Sequence, residues 1–498
     1  MESQKKNIPK NPSPLPVAKV DIHGKLVSSP QELKNLYLET YIHRLRHRPI
    51  KPGLEQIKQM KDRLCELRLE LVKLVKSSEW SEQDLLKVLG SLKKNKSRDP
   101  HNLVNDIFRT EVIGSDLRKS LLIMFNKMKD EIKIPEILEF VNIISIYKGK
   151  GKKSELKNDR GIFIINIFRS ILMKLIYNNE YPKVDSSMSD SNIGARREKN
   201  IRNHLFIING VINETIKTKM KSVDIEILDY RQCFDSMWLE EVVNDLYEAG
   251  VANDKLALIY EANKINRVSV QTPHGPSERV VIEKIVMQGE TFAPLECSVQ
   301  VDKIGKECIE EKKFLYFYKN EVPVPPLAMV DDLIAVSKCG SEAVEMNAYL
   351  NAKTNLKKLK FGEEKCCKML IGAPNDICPE LFIDAWKVEH AKEMDTDQYN
   401  LKDELSDEYQ IEKTDEEKYL GDVISADGKN HKNIQKRREK GVGIIAQIMS
   451  ILEEVCFGPF FFQVAVMHRN SLFLSSILIN SDVWYNLSSK NIQELEEF

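Results

Sequence analysis

Apolar and polar positions change rhythm along the chain. From Leu54 to Val75, apolar residues recur at 57, 60, 64, 67, 71, 74 and 75 with Lys and Glu between them. That spacing predicts an amphipathic helix. Ser81 with Asp84 resembles a capping box and opens a second helix through Leu92, which the run KKNKSRDP (Lys93 to Pro100) ends. These helices are expected to be ordinary packing elements, the alternative being an arm or partner-binding element. The first residues, to about 20, are rich in Pro, Lys and Asn and are expected to be flexible. After Pro100, strand-like and helix-like segments alternate, an α/β or α+β signature.

Two later segments stand out. Val223, Ile225 and Ile227 alternate with Asp224, Glu226 and Leu228, which predicts a strand with one buried face running into Asp229. A helix over Ser236 to Gly250 follows, its apolar side made by Trp238, Leu239, Val242, Val243, Leu246 and Tyr247. In PLAMVDDLIAVSKCG (Pro326 to Gly340) two adjacent acids interrupt an apolar run, and the simplest geometry is strand, tight turn, strand, with Asp331 and Asp332 at the bend. Further on, acidic residues dominate Glu393 to Glu417, which reads as a solvated insertion or linker. KYLGDVISADGKN then predicts a strand, a turn at Asp427-Gly428 and a helix start. No internal repeat is visible.

Composition narrows the classes. The 498 residues are 42% hydrophobic and 30% charged, enough for a large core and too long for one ordinary domain. The 74 Lys+Arg and 75 Asp+Glu give a formal charge of -1, so any basic groove must be local. The nine cysteines form no C-x-x-C pair, which argues against a disulfide scaffold or zinc ribbon and for a reducing compartment. Charged or polar residues interrupt both greasy stretches, Ile162 to Tyr177 and Phe457 to Ile479, so neither reads as a membrane span. The expected location is intracellular, with nucleus and cytoplasm not separated by the sequence.

Two neighbouring carboxylates in an apolar hairpin repel each other and are costly to desolvate. A divalent cation relieves both penalties, and oxygen-only ligands favour Mg²⁺ or Mn²⁺ over zinc. Asp is also a common turn residue, so the pair gains meaning only from its surroundings. Upstream, Lys148, Lys150, Lys152, Lys153, Lys157 and Arg160 crowd a Gly-punctuated loop. It is either a solvated basic turn or a flap aimed at a triphosphate.

The order of these blocks resembles the reverse transcriptase family, particularly its non-LTR (LINE-like) retrotransposon branch. LDYRQCFDSM resembles the family's Asp-x-x-x-Ala-Phe-Asp block, MQGETFAPL its Gln-Gly-x-Pro-x-Ser-Pro-Leu block, and MVDD its aromatic-x-Asp-Asp. NDRGIFIINIFRSILMKLI is similar to the Arg-Pro-Ile-x-Leu stretch, and SNIGARREKNIRNHLFI to the template-facing Gly-Phe-Arg segment. KYLGDVIS is similar to the Tyr-Leu-Gly block before the thumb, and KKNKSRDPHNLVNDIF to the opening Lys-x-x-Gly-x-Asp segment. The resemblance runs from about residue 80 to the C-terminus.

The resemblance implies an α+β right-hand polymerase: an extension over 1–95, fingers with the start of the palm over 96–222, palm over 223–380, and over 381–498 an acidic insertion, palm–thumb connection and partial thumb. It implies RNA-directed DNA polymerase activity, a nucleotidyl transfer from dNTP to a primer 3′-OH with two Mg²⁺ (or Mn²⁺) ions on Asp229, Asp331 and Asp332. Lys365 would protonate pyrophosphate, with Lys368 close in register. Lys148 and Arg160 would bind the triphosphate, Phe234 would act as the ribose gate, and Gln288 and Gly289 would line the nucleotide and template pocket. The implied partners are an RNA template and a DNA primer or target; oligomeric state is not implied.

Several positions depart from the family pattern: Gly161 for Pro, Cys233 for Ala, Thr291 for Pro, Ala293 for Ser and Met329 for the aromatic, with Pro100 and His101 after Asp99 in place of Gly. None removes a charge or metal ligand. With no flanking nuclease blocks and NIQELEEF reading as a helix start, a truncated retroelement copy is expected. The alternative is an inactive or domesticated palm that binds RNA without synthesis; an unrelated two-metal nuclease stands well behind.

Overall fold

The computed structural model describes residues 18–46 except 22 and 23, positions 58 and 62, and residues 77–455 except 150, 219–221, 312–314, 363–364, 373–379 and 384–408. The helix expected over 54–75, the acidic residues 393–408 and the expected thumb at 457–484 thus fall outside the described residues, apart from single helical positions 58 and 62. The fold is α+β and divides into two units, one of residues 1–188, 231–300 and 355–359, the other of 189–230, 301–354 and 360–498. Among the described residues no helix is long and apolar enough to cross a membrane.

The first unit is built on a hairpin. Phe140–Tyr147 pairs antiparallel with Asp159–Ile165, placing Ile146 opposite Arg160, and the lysine-rich loop joins them. Ile265–Thr272 adds parallel to the first of these strands and carries Val280–Glu283 antiparallel. Alternation puts Val141, Ile143, Val268 and Val270 in one core. The helix Pro30–Arg46 lays Leu33, Tyr37, Tyr41 and Leu45 on them, a four-residue spacing that keeps one face inward. That helix explains one departure from the family pattern. A Cβ at Gly161 would lie 2.6 Å from Cε1 of Tyr41, so a proline ring cannot sit there unless the tyrosine moves. Ser81 caps Glu82–Gly90 in a true capping box with Asp84. The helix expected over 236–250 runs Leu239–Glu248 and is preceded by a separate single turn, Cys233–Ser236.

The second unit holds a five-stranded sheet in the order Leu327–Met329, Asp332–Lys338, Val223–Asp229, Cys367–Ile371, Glu412–Lys413. Val223–Asp229 is central, and every residue from Val223 to Leu228 is buried. The expectation of a single buried face is therefore corrected: being central, the strand is covered on both sides, and Asp224 and Glu226 lie inside. Asn347, on the helix that starts at Ser341, donates to Glu226 Oε2 at 2.8 Å. Burial first, and Asp224 second, push the Glu226 carboxyl up to about 8.

Two further corrections concern the stretch after residue 408. The end of the acidic segment is not a linker: Glu412–Lys413 joins the sheet edge parallel to Cys367–Lys368. Buried Ile411, whose N–H donates to Leu381 O at 2.7 Å, anchors it while its charged neighbours face water. KYLGDVIS is not one strand but part of a hairpin, Glu416–Tyr419 with Asp422–Ser425, turning at Leu420-Gly421. The helix His431–Val455 follows.

Candidate active site

In the second unit the acidic hairpin closes through a two-residue turn, with Met329 paired to Asp332 and Val330 and Asp331 at the tip. Val330 has φ +58, a left-handed conformation that a β-branched residue adopts only under constraint. Asp332 begins the outgoing strand directly opposite Asp229. Directly paired residues share a face with Cα atoms about 5 Å apart, so these two carboxylates are neighbours, and Asp331 precedes Asp332 by one residue.

The backbone around Asp229 is fixed from several sides. Gly362 N donates to Asp229 O at 2.7 Å, Tyr230 N donates to Asp331 O at 3.3 Å, and the Tyr230 ring stacks on Phe361 at 4.9 Å. The nearby hairpin is pinned by buried His204. Its Nε2 lies 2.9 Å from Ser191 O, which can only accept, so Nδ1 receives the Tyr419 hydroxyl at 3.0 Å. Burial lowers the His204 pKa to about 4, consistent with that neutral ring.

Electrostatically the site asks for positive charge. Burial, then Asp331 and Asp229, push Asp332 up to about 6. Burial also raises Asp229, although Lys365 pulls it down. Lys365 Nζ already lies 2.5 Å from Asp229 Oδ1 while its side chain stays largely exposed. Lys368, the register alternative, sits buried in the strand opposite Glu226. Among the described residues no three acid, His or Cys side chains form a ready-made metal cluster. The donor set is nonetheless right for Mg²⁺ or Mn²⁺: hard oxygens only, from acids whose mutual repulsion a cation removes.

The remaining candidates lie in the first unit. Lys148 and Arg160 are both exposed, at the start of the lysine loop and on the strand after it. Neither lines a groove of about 960 Å³ in that unit. Its lining includes Lys93, Lys96 and Lys174 together with Ile162, Ile164 and Gly289. The sequence reading did not assign these three lysines a role; the signal was there in Lys174, a charge inside an apolar helix. Burial, then Lys93 and Lys96, lower the Lys174 pKa. Gly289 has φ +115, and a Cβ there would come within 3.0 Å of Phe163 O. Phe234 is half-buried on its single helical turn, beside buried Cys233, whose Sγ is 2.9 Å from Cys297 Sγ.

The family described as "Reverse transcriptase (RNA-dependent DNA polymerase)" matches residues 150–424, more than half of the chain. The chain belongs to the reverse transcriptase family. Reverse transcriptases use a divalent metal and dNTPs, and act on a nucleic-acid template and primer. The matched span contains Arg160, Asp229, Phe234, Gln288, Gly289, Asp331, Asp332 and Lys365, whereas Lys148, Lys93 and Lys96 precede it.

Proposed function

We propose that the chain is an RNA-directed DNA polymerase of a non-LTR retroelement, adding dNTPs to a primer 3′-OH with Mg²⁺ or Mn²⁺. The observation that carries the reading is the cross-strand pairing of Asp332 with Asp229, one residue after Asp331, inside the family-matched span. Asp229, Asp331 and Asp332 would hold the metal ions. When bound, those ions supply activation of the primer hydroxyl and neutralisation of charge on the leaving pyrophosphate.

The protein's own groups do the rest. Lys365, held at Asp229 and open to solvent, is placed to give a proton to departing pyrophosphate. Phe234 crowds a ribose 2′-OH, Gln288 and Gly289 line the nucleotide pocket, and Lys148 and Arg160 attract the triphosphate. The sheet bearing the acids is read as the palm, and the helix from His431 as the start of the thumb. Template passes along the groove lined by Lys93, Lys96 and Lys174, where ammonium groups meet phosphates beside apolar side chains such as Ile162 and Ile164.

The test is primer extension on a homopolymer RNA template with Mg²⁺ and labelled dNTP. Synthesis is expected. RNA binding without synthesis in either metal would replace this reading with that of an RNA-binding scaffold.

A further inference from the structure

One fully buried arginine has no part in the chemistry described so far. Arg169 lies in the first turn of the helix Ile167–Ser187, with no exposed side-chain surface. Each of its three nitrogens donates a hydrogen bond. Nε donates to Glu290 Oε1 at 3.2 Å, Nη1 to Asn266 Oδ1 at 2.8 Å and Nη2 to Asn263 Oδ1 at 2.9 Å. The two asparagines are themselves locked, Asn266 to Asn263 O and Asn263 to Ile259 O. The guanidinium is therefore anchored to the junction between the helix Asn253–Lys264 and the strand that follows it.

Glu290, the other end of the pair, immediately follows Gly289. Its N–H closes the turn onto Met287 O at 3.1 Å, and Gln288 O accepts from Phe163 N at 3.3 Å. Gly289 passes so close to Phe163 that only a bare backbone fits. The Gln288-Gly289 turn is thus held at the Asp159–Ile165 strand on one side and at Arg169 on the other. Glu296 is also fully buried and, among the described residues, its carboxyl has no hydrogen-bond partner. Burial, with Glu290 adding to it, pushes Glu296 well above the usual carboxylate range, so one guanidinium serves one carboxylate.

A buried ion pair adds little net stability compared with apolar residues of the same size, because desolvation offsets the attraction. Its distinctive contribution is direction. We propose that Arg169 and Glu290 are a positioning pair that fixes the Gln288-Gly289 turn and so sets how tightly the polymerase holds an incoming dNTP. The inference rests on the polymerase reading and extends it to residues that touch no substrate.

The experiment is steady-state primer extension, with KM for dNTP and kcat measured separately for Arg169→Lys, Glu290→Gln and the Arg169→Met/Glu290→Met double variant. Lysine cannot meet three acceptors in one plane, so Arg169→Lys is expected to raise dNTP KM by about tenfold with kcat within about threefold. Glu290→Gln is expected to move KM in the same direction by a smaller factor. The double variant removes both charges but leaves the buried Asn263 and Asn266 side-chain oxygens without their donor, so its Tm is expected to fall while the raised KM is retained. Variants with wild-type dNTP KM, or with kcat reduced and KM unchanged as a loss of folded protein would give, overturn the inference. So does a double variant whose KM returns to the wild-type value. Wild-type protein that does not extend a primer overturns the polymerase reading itself, and this inference with it.

Discussion

Glu226 and Phe234 pose opposite questions about what a side chain's surroundings do to it. Glu226 is a carboxyl inside a core, facing Asp224, Asn347 and Lys368, and burial raises its pKa to about 8 from an ordinary 4.5. The folded state therefore holds a proton that the unfolded state has released between those values. Stability from this group is full below pH 4.5 and is lost as pH rises through 8. Thermal melts from pH 6 to 9 are expected to show a falling Tm for the wild type and a flatter profile for Glu226→Gln. Identical profiles would mean that Glu226 ionises normally. Phe234 is half-buried on a one-turn helix. Phe234→Ala is expected to increase ribonucleotide incorporation relative to dNTP, and unchanged sugar discrimination returns the ring to a packing role. Sequence made Asp331 and Asp332 visible because they break an apolar run. It hid Glu226, because alternation looks the same whether the polar face meets water or another layer.

Elements show where local pattern suffices. The Ser81 cap and the acidic hairpin are specified by a few adjacent residues, and both form, with the bend one residue earlier than expected: Val330 and Asp331 make the tip and Asp332 begins the outgoing strand. The strand Glu412–Lys413 depends on a partner far away in sequence, so composition alone pointed to a solvated insertion or linker, and KYLGDVIS, read as one strand, folds back on the residues just before it. The helix Pro30–Arg46 was not foreseen, although Leu33, Tyr37, Tyr41 and Leu45 keep a helical spacing; what it covers depends on strands far away in sequence. Its fit against Gly161 predicts a coupling. Gly161→Ala forces its new Cβ against the Tyr41 ring and should cost about 1–3 kcal/mol in urea unfolding. Adding Tyr41→Ala should make the glycine substitution nearly neutral, and strict additivity of the two changes would show that the ring does not impose the glycine.

At the scale of the whole molecule, a formal charge of -1 conceals a local field. Lys93 and Lys96 are far in sequence from Lys174, yet the three line one groove and average out in the composition. If the groove carries single-stranded template, Lys96→Ala should weaken RNA binding for every sequence tried. It should also reduce the slope of log affinity against log salt by about 0.7, the value for one phosphate contact on a single strand. An unchanged slope would place the template elsewhere.

The central claim is that carboxylates from two distant stretches act as one charged centre for nucleotide transfer. Primer extension by Asp331→Asn, run beside wild type in Mg²⁺ with RNA binding followed on the same preparations, addresses it most directly. Synthesis is expected to disappear while RNA affinity stays near the wild-type value; an asparagine variant that extends primers as fast as wild type would contradict the account.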